Sequence, residues 1–254
     1  MMKYFVDEHS IVRKIWGKAD TVLFIFAGAS AEFALNKAVD WLYFTGRLPA
    51  DPLGRLFSTV EYARLILFSK HDDALAAIDK ITAIHQGVEQ ARGAKIPDWA
   101  YRDVLFMLID YSIRSFELLE RKLTAAEKQE IFDTFYKVGS RMGISGLPLT
   151  YTAWKPMRKK HLKDDLIKST YSVDLYTKYK QHLGNLRYLL LKQVQMLLVP
   201  TQIKEMLPLG RTSLLRPVLW AYKVARSIKI DWLLKEAILP TQYKAQIRGL
   251  DQSF

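Results

Sequence analysis

The stretch Asp51-Pro-Leu-Gly-Arg55-Leu-Phe-Ser58-Thr59 has the features of a helix start and carries polar side chains at a helical spacing. Asp51 can accept hydrogen bonds from the first free N–H groups, and Pro52 suits the first turn because its missing N–H needs no partner there. Arg55 and Thr59 lie four residues apart and therefore project from one side of the helix. An apolar stripe runs beside them and consists of Leu56, Val60, Ala63 and Leu67.

A second amphipathic helix follows and carries a histidine on its apolar side. His85 lies four residues after Ile81 and seven after Ile78, in line with a stripe that also includes Leu75 and Val88. The spacing predicts that the imidazole points into the core. Most lone histidines at such positions are structural, neutral and held by one hydrogen bond, so the pattern alone does not indicate a ligand.

Helical periodicity continues along the chain, and no segment alternates as a strand does. We therefore predict an all-α fold, a multi-helix bundle forming one domain over residues 1–254 around a buried apolar pocket. The helix with His85 should begin at Asp72 or Asp73 and end near Gly93, and a capping box at Thr124 and Glu127 marks another start. The remaining predicted helices cover 7–16, 20–44, 98–120, 124–143, 154–183, 186–198, 201–207, 214–228 and 232–239.

Composition removes several classes of function. The chain has 254 residues, half of them hydrophobic, and contains no cysteine. Disulfides, iron–sulfur clusters, thiolate-ligated cofactors and cysteine nucleophiles are therefore excluded. The sequence also lacks the patterns of a nucleophile elbow, a P-loop and a di-iron bundle.

The most apolar run, residues 21–35, is too short and too charged to cross a bilayer, which needs roughly 20 apolar residues. It contains Glu32, and its small residues at Ala27-Gly-Ala-Ser-Ala31 favour close packing by another helix or by a flat cofactor. The charged N-terminal segment lacks the apolar core of a secretory signal. We therefore expect a cytoplasmic protein.

Positive charge is concentrated in the last hundred residues. Residues 1–154 contain 19 Lys and Arg and 19 Asp and Glu, whereas residues 155–254 contain 19 and 7, which accounts for the net charge of +12. A basic C-terminal surface would attract an anionic membrane surface, an acidic partner or nucleic acid. Nucleic acid is the weak candidate, because the aromatic residues of this region follow a core-packing period.

The order and spacing of these segments resemble the rubber-oxygenase or latex-clearing-protein family, which includes the fungal oxygenase that shortens the prenyl side chain in mycophenolic acid biosynthesis. The similarity covers nearly the whole chain, including Leu-Ile-Asp110, the start at Leu123 to Glu127, and Leu198-Val-Pro200. By resemblance, His85 is the axial ligand of haem b and the metal-binding residue, while Arg55 and Thr59 belong to the distal side. The family further implies dioxygen or peroxide as co-substrate and an apolar, isoprenoid or unsaturated substrate.

Two positions depart from the family pattern. Latex-clearing proteins carry a lysine that can cap the iron immediately before the threonine, and Ser58 stands there in this chain. Many relatives also have Trp-Val-His where this chain has Asp103-Val-Leu105. The first departure predicts an accessible sixth coordination position, and the second predicts a different substrate pocket.

Several alternatives remain for the individual residues. Asp110 could hold the Nδ1–H of His85, or it could pair with Arg114 one turn away. Arg55 could instead pair with Asp51, and Thr59 could return a hydrogen bond to its own helix. For the whole chain, the alternatives to a haem enzyme are a non-catalytic lipid-binding or membrane-surface module and an oxidoreductase that uses another metal.

Overall fold

The computed structural model describes residues 4–46 and 50–210, together with 213, 215, 217 and 219. Within these residues the fold is all-α, as predicted, with two isolated β-bridges and no strand. The predicted helices 214–228 and 232–239 lie mostly outside the described residues. The prediction of a single domain over 1–254 likewise extends beyond them and stays a prediction.

Ten helices are found in the described part of the chain, numbered here in chain order. They are α1 (Ile11–Trp16), α2 (Ala19–Phe33), α3 (Val39–Phe44), α4 (Pro52–Phe68), α5 (His71–Arg92), α6 (Asp98–Leu119), α7 (Ala125–Arg141), α8 (Tyr151–Asp164), α9 (Thr170–Leu198) and α10 (Thr201–Met206). Helices α2 and α6 pack along each other at the centre, and α4 packs against α5 beside them. Most of the buried apolar side chains between Val6 and Leu209 form one core cluster, and a second, smaller cluster consists of Ile66, Ala74, Ala77, Ile78 and Val138.

Small residues allow the close approach of α2 and α6. A Cβ atom added to Gly28 would lie 2.3 Å from Cδ1 of Tyr111, whose ring is fully buried. The small residues of α2 therefore serve helix packing, and the ring that fills the space belongs to α6. Among the described residues, no helix is both long and apolar enough to cross a membrane.

The predicted continuous helix over residues 20–44 is wrong, because the chain breaks between Phe33 and Val39. Asn36 accepts the Ala38 N–H through its side-chain oxygen at 2.8 Å, which replaces a helical bond. The flanking backbone pairs with the segment after α8, through Lys37 N–H to Asp165 O at 2.9 Å and Ile167 N–H to Leu35 O at 2.7 Å. The same pairing interrupts the predicted helix over residues 154–183.

One other helix start differs in detail from the prediction, and several other boundaries agree with it. Helix α5 begins at His71 after Lys70, so Asp72 and Asp73 lie in its first turn, where the helix dipole favours negative charge, and do not cap it. The predicted break near residue 184 is confirmed, because Gly184 has a φ of 72° and a ψ of 170°, outside the helical range, so α9 consists of two helical segments that meet at a kink there. The capping box of Thr124 and Glu127 and the left-handed Gly93 after α5 are confirmed.

A buried network of charged groups ties three helices together. The guanidinium of Arg158 on α8 binds both carboxylate oxygens of Glu32 on α2, and its Nε lies 3.1 Å from Asp110 of α6. The hydroxyl of Tyr111 donates to Glu32 at 2.9 Å. Burial by itself lowers the pKa of Arg158, but the charges of Glu32 and Asp110 outweigh this effect and raise it.

Candidate functional site

The start of α4 positions the predicted Arg55 group. The carboxylate of Asp51 accepts the Gly54 N–H at 2.9 Å, and Pro52 occupies the first turn, as the sequence predicts. The Arg55 N–H bonds to the Asp51 carbonyl at 3.0 Å. This local chemistry fixes where the helix begins and therefore which side of α4 carries Arg55.

Arg55, Ser58 and Thr59 form a local hydrogen-bonded group. One guanidinium nitrogen of Arg55 donates to the Thr59 hydroxyl at 2.8 Å and to the Ser58 hydroxyl at 3.3 Å. Both hydroxyls also donate to the Arg55 carbonyl, at 2.8 Å from Ser58 and 3.2 Å from Thr59. Thr59 therefore returns a bond to its own helix and also orients the cation.

His85 lies half-buried on α5, against which α4 packs. Its Nδ1 is 2.9 Å from the carbonyl oxygen of Ile81. Because a carbonyl only accepts, Nδ1 carries the proton and Nε2 keeps its lone pair. Among the described residues, no group makes a hydrogen bond to Nε2.

The surroundings of His85 favour its neutral form. Burial lowers the pKa of His85 below the usual 6.5, the bond to Ile81 opposes this, and the charge of Arg55 lowers it further. The structure therefore brings Arg55 close enough to act electrostatically on His85, as expected of two helices in contact.

Tyr101 is a neighbour of His85 that the sequence did not point to. The two rings meet edge to face with centroids 5.3 Å apart, and the Tyr101 hydroxyl donates to Glu89 at 3.1 Å. Burial, followed by the charge of Glu89, raises the pKa of Tyr101. No spacing rule links Tyr101 to His85, because they lie on different helices.

Asp110 is not the partner of His85. Its carboxylate accepts from Arg114 at 2.7 Å and from Arg158 at 3.1 Å, so the alternative pairing one turn away is the one observed. The backbone carbonyl of Ile81 takes the position considered for Asp110. Sequence patterns indicate which side chains can meet, so they cannot point to a backbone carbonyl as a hydrogen-bond partner.

A cavity of about 580 Å³ lies elsewhere, between the N-terminal segment and the end of α6. None of the four predicted site residues lines it. Its walls come from Glu8, His9, Ile11, Lys14, Lys18, Phe116, Glu120 and Arg121.

A second group of titratable side chains lies near the end of α8. Residues 155–163 include six basic or histidine side chains, and two of them, Arg158 and His161, are only 4% and 7% exposed. His161 Nδ1 is in direct contact with a carboxylate oxygen of Asp103 and lies 3.7 Å from one of Asp165. The four-residue spacing of His161 and Asp165 was the available sequence signal.

A protein-family model, that of the ER-bound oxygenase mpaB/B'/rubber oxygenase catalytic domain, matches residues 13–227 of the sequence. The chain belongs to this family. The match confirms the resemblance carried by the Arg55 and His85 segments, and it makes the chain an oxygenase-family catalytic domain. Comparison with curated proteins and with solved structures gives no match.

The surroundings of His85 are those that an axial ligand of a haem requires. A ligating histidine almost always donates its other ring N–H to a carboxylate, a carbonyl or water, and His85 does so to Ile81. Cysteine is absent from the sequence, which excludes thiolate ligation, and an imidazole is one of the remaining side chains that bind haem iron. Two apolar side chains of α4 and α5, Leu65 and Ile84, are half-exposed.

Proposed function

We propose that the chain is a haem b-dependent oxygenase that uses dioxygen or peroxide to oxidise an apolar, isoprenoid or otherwise unsaturated substrate. Membership of the oxygenase family supports the reaction class. The observation that carries the haem proposal is the state of His85, whose Nδ1–H is held by Ile81 while Nε2 keeps its lone pair.

His85 would bind the iron through Nε2. The Ile81 carbonyl fixes the ring orientation and the tautomer, and a hydrogen bond on Nδ1–H raises the electron donation of Nε2. The lowered pKa of His85 acts in the same direction, since a protonated imidazole cannot ligate a metal. When bound, the haem would supply the iron that takes up and activates the oxidant.

Arg55 would orient the oxidant and stabilise negative charge on it. A guanidinium suits this role because it keeps its charge at any working pH and presents several fixed N–H donors. Thr59 holds the guanidinium at 2.8 Å and would limit its motion. Ser58, with a short side chain in the place of the family's lysine, would leave the distal position accessible.

Absorption spectroscopy tests the haem proposal. We expect protein from haem-supplemented cells to show a Soret band, and His85→Ala to lose it. A decrease in haem content of at least about tenfold is expected, because even the outer partners of a metal ligand contribute that much affinity.

His71→Ala is the matched control, since His71 lies on the same helix with a side chain 45% exposed. It should keep the haem content of the unchanged protein. A protein that stays colourless and does not take up added hemin would refute the proposal.

The alternative of a lipid-binding or membrane-surface module is favoured by one surface. On α9, Leu186 and Leu189 are 70% and 53% exposed, and the helix carries four cations and one carboxylate. Anionic lipid attracts such a surface, and salt weakens the attraction. This second proposal predicts sedimentation with anionic vesicles at low salt, and a protein that stays in the supernatant would contradict it.

A further inference from the structure

We propose that Asp103, His161 and Asp165 form a binding site for a divalent cation of the zinc type, separate from the haem site. The residues come from α6, from α8 and from the turn after α8. One ligand atom of each lies within 4.8 Å of the others. The site would fasten the end of α8 to the centre of the bundle.

The ligand atoms are already oriented. Asn36 donates to one oxygen of Asp103 at 2.7 Å, so the other oxygen faces His161. Asn36 is itself fixed, because its side-chain oxygen accepts the Ala38 N–H at 2.8 Å. Outer partners of this kind orient metal ligands and are a regular feature of metal sites in proteins.

In this site one imidazole faces two carboxylates, those of Asp103 and Asp165. His161 Nδ1 lies against Asp103, while the Asp165 carboxylate 3.7 Å away accepts no hydrogen bond from the described residues. A dication bound at Nδ1 would compensate both carboxylates, and the neutral imidazole would then carry its proton on Nε2.

One nitrogen and two carboxylate oxygens are typical zinc ligands, and three protein ligands leave a fourth position for water. Calcium would require six to eight oxygen ligands, more than these side chains provide. Asp103 and His161 are nearly inaccessible, whereas the Asp165 side chain is 19% exposed. Asp165 therefore gives the ion a path from solvent.

Zinc titration of the full-length, tag-free protein after chelator treatment tests the proposal. We expect about one zinc ion per chain, measured by calorimetry and by elemental analysis, and a rise in the unfolding temperature with zinc. Asp165→Asn should weaken zinc binding roughly 100-fold, at least as much as the loss of an outer partner. The isosteric change keeps the backbone bonds of residue 165 to His161 and Lys37.

Asp164→Asn is the control, because the exposed Asp164 pairs with Lys160 and not with His161. It should bind zinc as the unchanged protein does. Failure of the unchanged protein to bind zinc would overturn the proposal by itself, and so would equal binding by Asp165→Asn. The Soret band of Asp165→Asn should be unchanged, so the outcome here is independent of the haem proposal.

Discussion

At the scale of single residues, the protonation of His85 links the two halves of the candidate site. The imidazole is half-buried and lies within the field of the Arg55 guanidinium, and both effects favour its neutral form. The neutral form is the one that can bind a metal. Arg55 thus has two proposed tasks, one toward the oxidant and one toward the ligand.

Replacement of Arg55 by Gln should raise the pKa of His85. The reason is that the change removes a positive charge that disfavours protonation, while burial of the ring remains. Histidine ring signals followed by NMR during a pH titration of haem-free protein measure the shift. Arg55→Lys keeps the charge and is the control.

The same pKa determines how stability depends on pH. A folded-state pKa below 6.5 means that the unfolded chain binds more protons, so stability falls as pH decreases from about 6.5 through the folded-state value. Arg55→Gln should reduce this loss, as measured by urea unfolding at several pH values. A pKa of His85 that is unchanged in Arg55→Gln would show that the two groups do not interact.

The site residues were predictable to different degrees. Helical spacing placed Arg55 and Thr59 beside one apolar stripe and His85 within another, and the family resemblance then singled them out as candidate site residues. The Ile81 carbonyl and the Tyr101 ring were not predicted, since one is backbone and the other comes from a separate helix. Sequence spacing predicts which residues are neighbours within one helix, but it does not predict which residues of different helices come into contact.

At the scale of helices, α8 is held to α2 and α6 by a buried cation whose burial the sequence did not indicate. Arg158 stands among five other basic or histidine residues between 155 and 163, yet it alone binds Glu32 and Asp110. A helix face is defined by its period, and Trp154, Arg158 and His161 share the buried one. The many charged residues between 155 and 163 made this helical period hard to recognise in the sequence.

Arg158→Leu should destabilise the fold by about 3 to 5 kcal/mol, because it leaves the buried Glu32 carboxylate without its cation. Urea unfolding measures the difference. Arg141→Leu removes a cation whose pair with Asp79 is about half-exposed, and it should change stability little. Equal effects of the two changes would contradict the assigned burial of Arg158.

Two glycines in helices should respond to alanine with opposite signs. Gly28→Ala forces a methyl group into the Tyr111 ring and should cost about 1 to 3 kcal/mol through overpacking between α2 and α6. Gly87→Ala meets no atom within 4 Å and should stabilise α5 by up to about 1 kcal/mol. Thermal unfolding of both variants tests the pair, and stabilisation by Gly28→Ala would show that α2 and α6 lie further apart.

The helix boundaries show where local chemistry is enough to predict structure. Asp51, Thr124 and Gly93 act within one turn of their own helices, and all three were predicted correctly. The break between Phe33 and Val39 was missed because it depends on pairing with residues 165–167, far along the chain. Asn36 was the only local sign of it.

At the scale of the whole molecule, haem binding should increase the free energy of unfolding. A ligand that binds only the folded state stabilises it by about 2.7 kcal/mol when present at 100 times its dissociation constant. For a chain of this size that free energy corresponds to a rise in the unfolding temperature of roughly 5 to 10 °C. We expect hemin to produce such a rise in the unchanged protein.

Two comparisons separate iron ligation from adsorption of an apolar molecule. His85→Ala should lose most of the rise, because the axial bond is gone while the apolar surface remains. Metal-free protoporphyrin IX has the same flat apolar ring without iron, and it should stabilise the unchanged protein much less than hemin does. If protoporphyrin IX and hemin were equally effective, and His85→Ala made no difference, the α4–α5 region would be a binding surface for apolar molecules and His85 would not be a haem ligand.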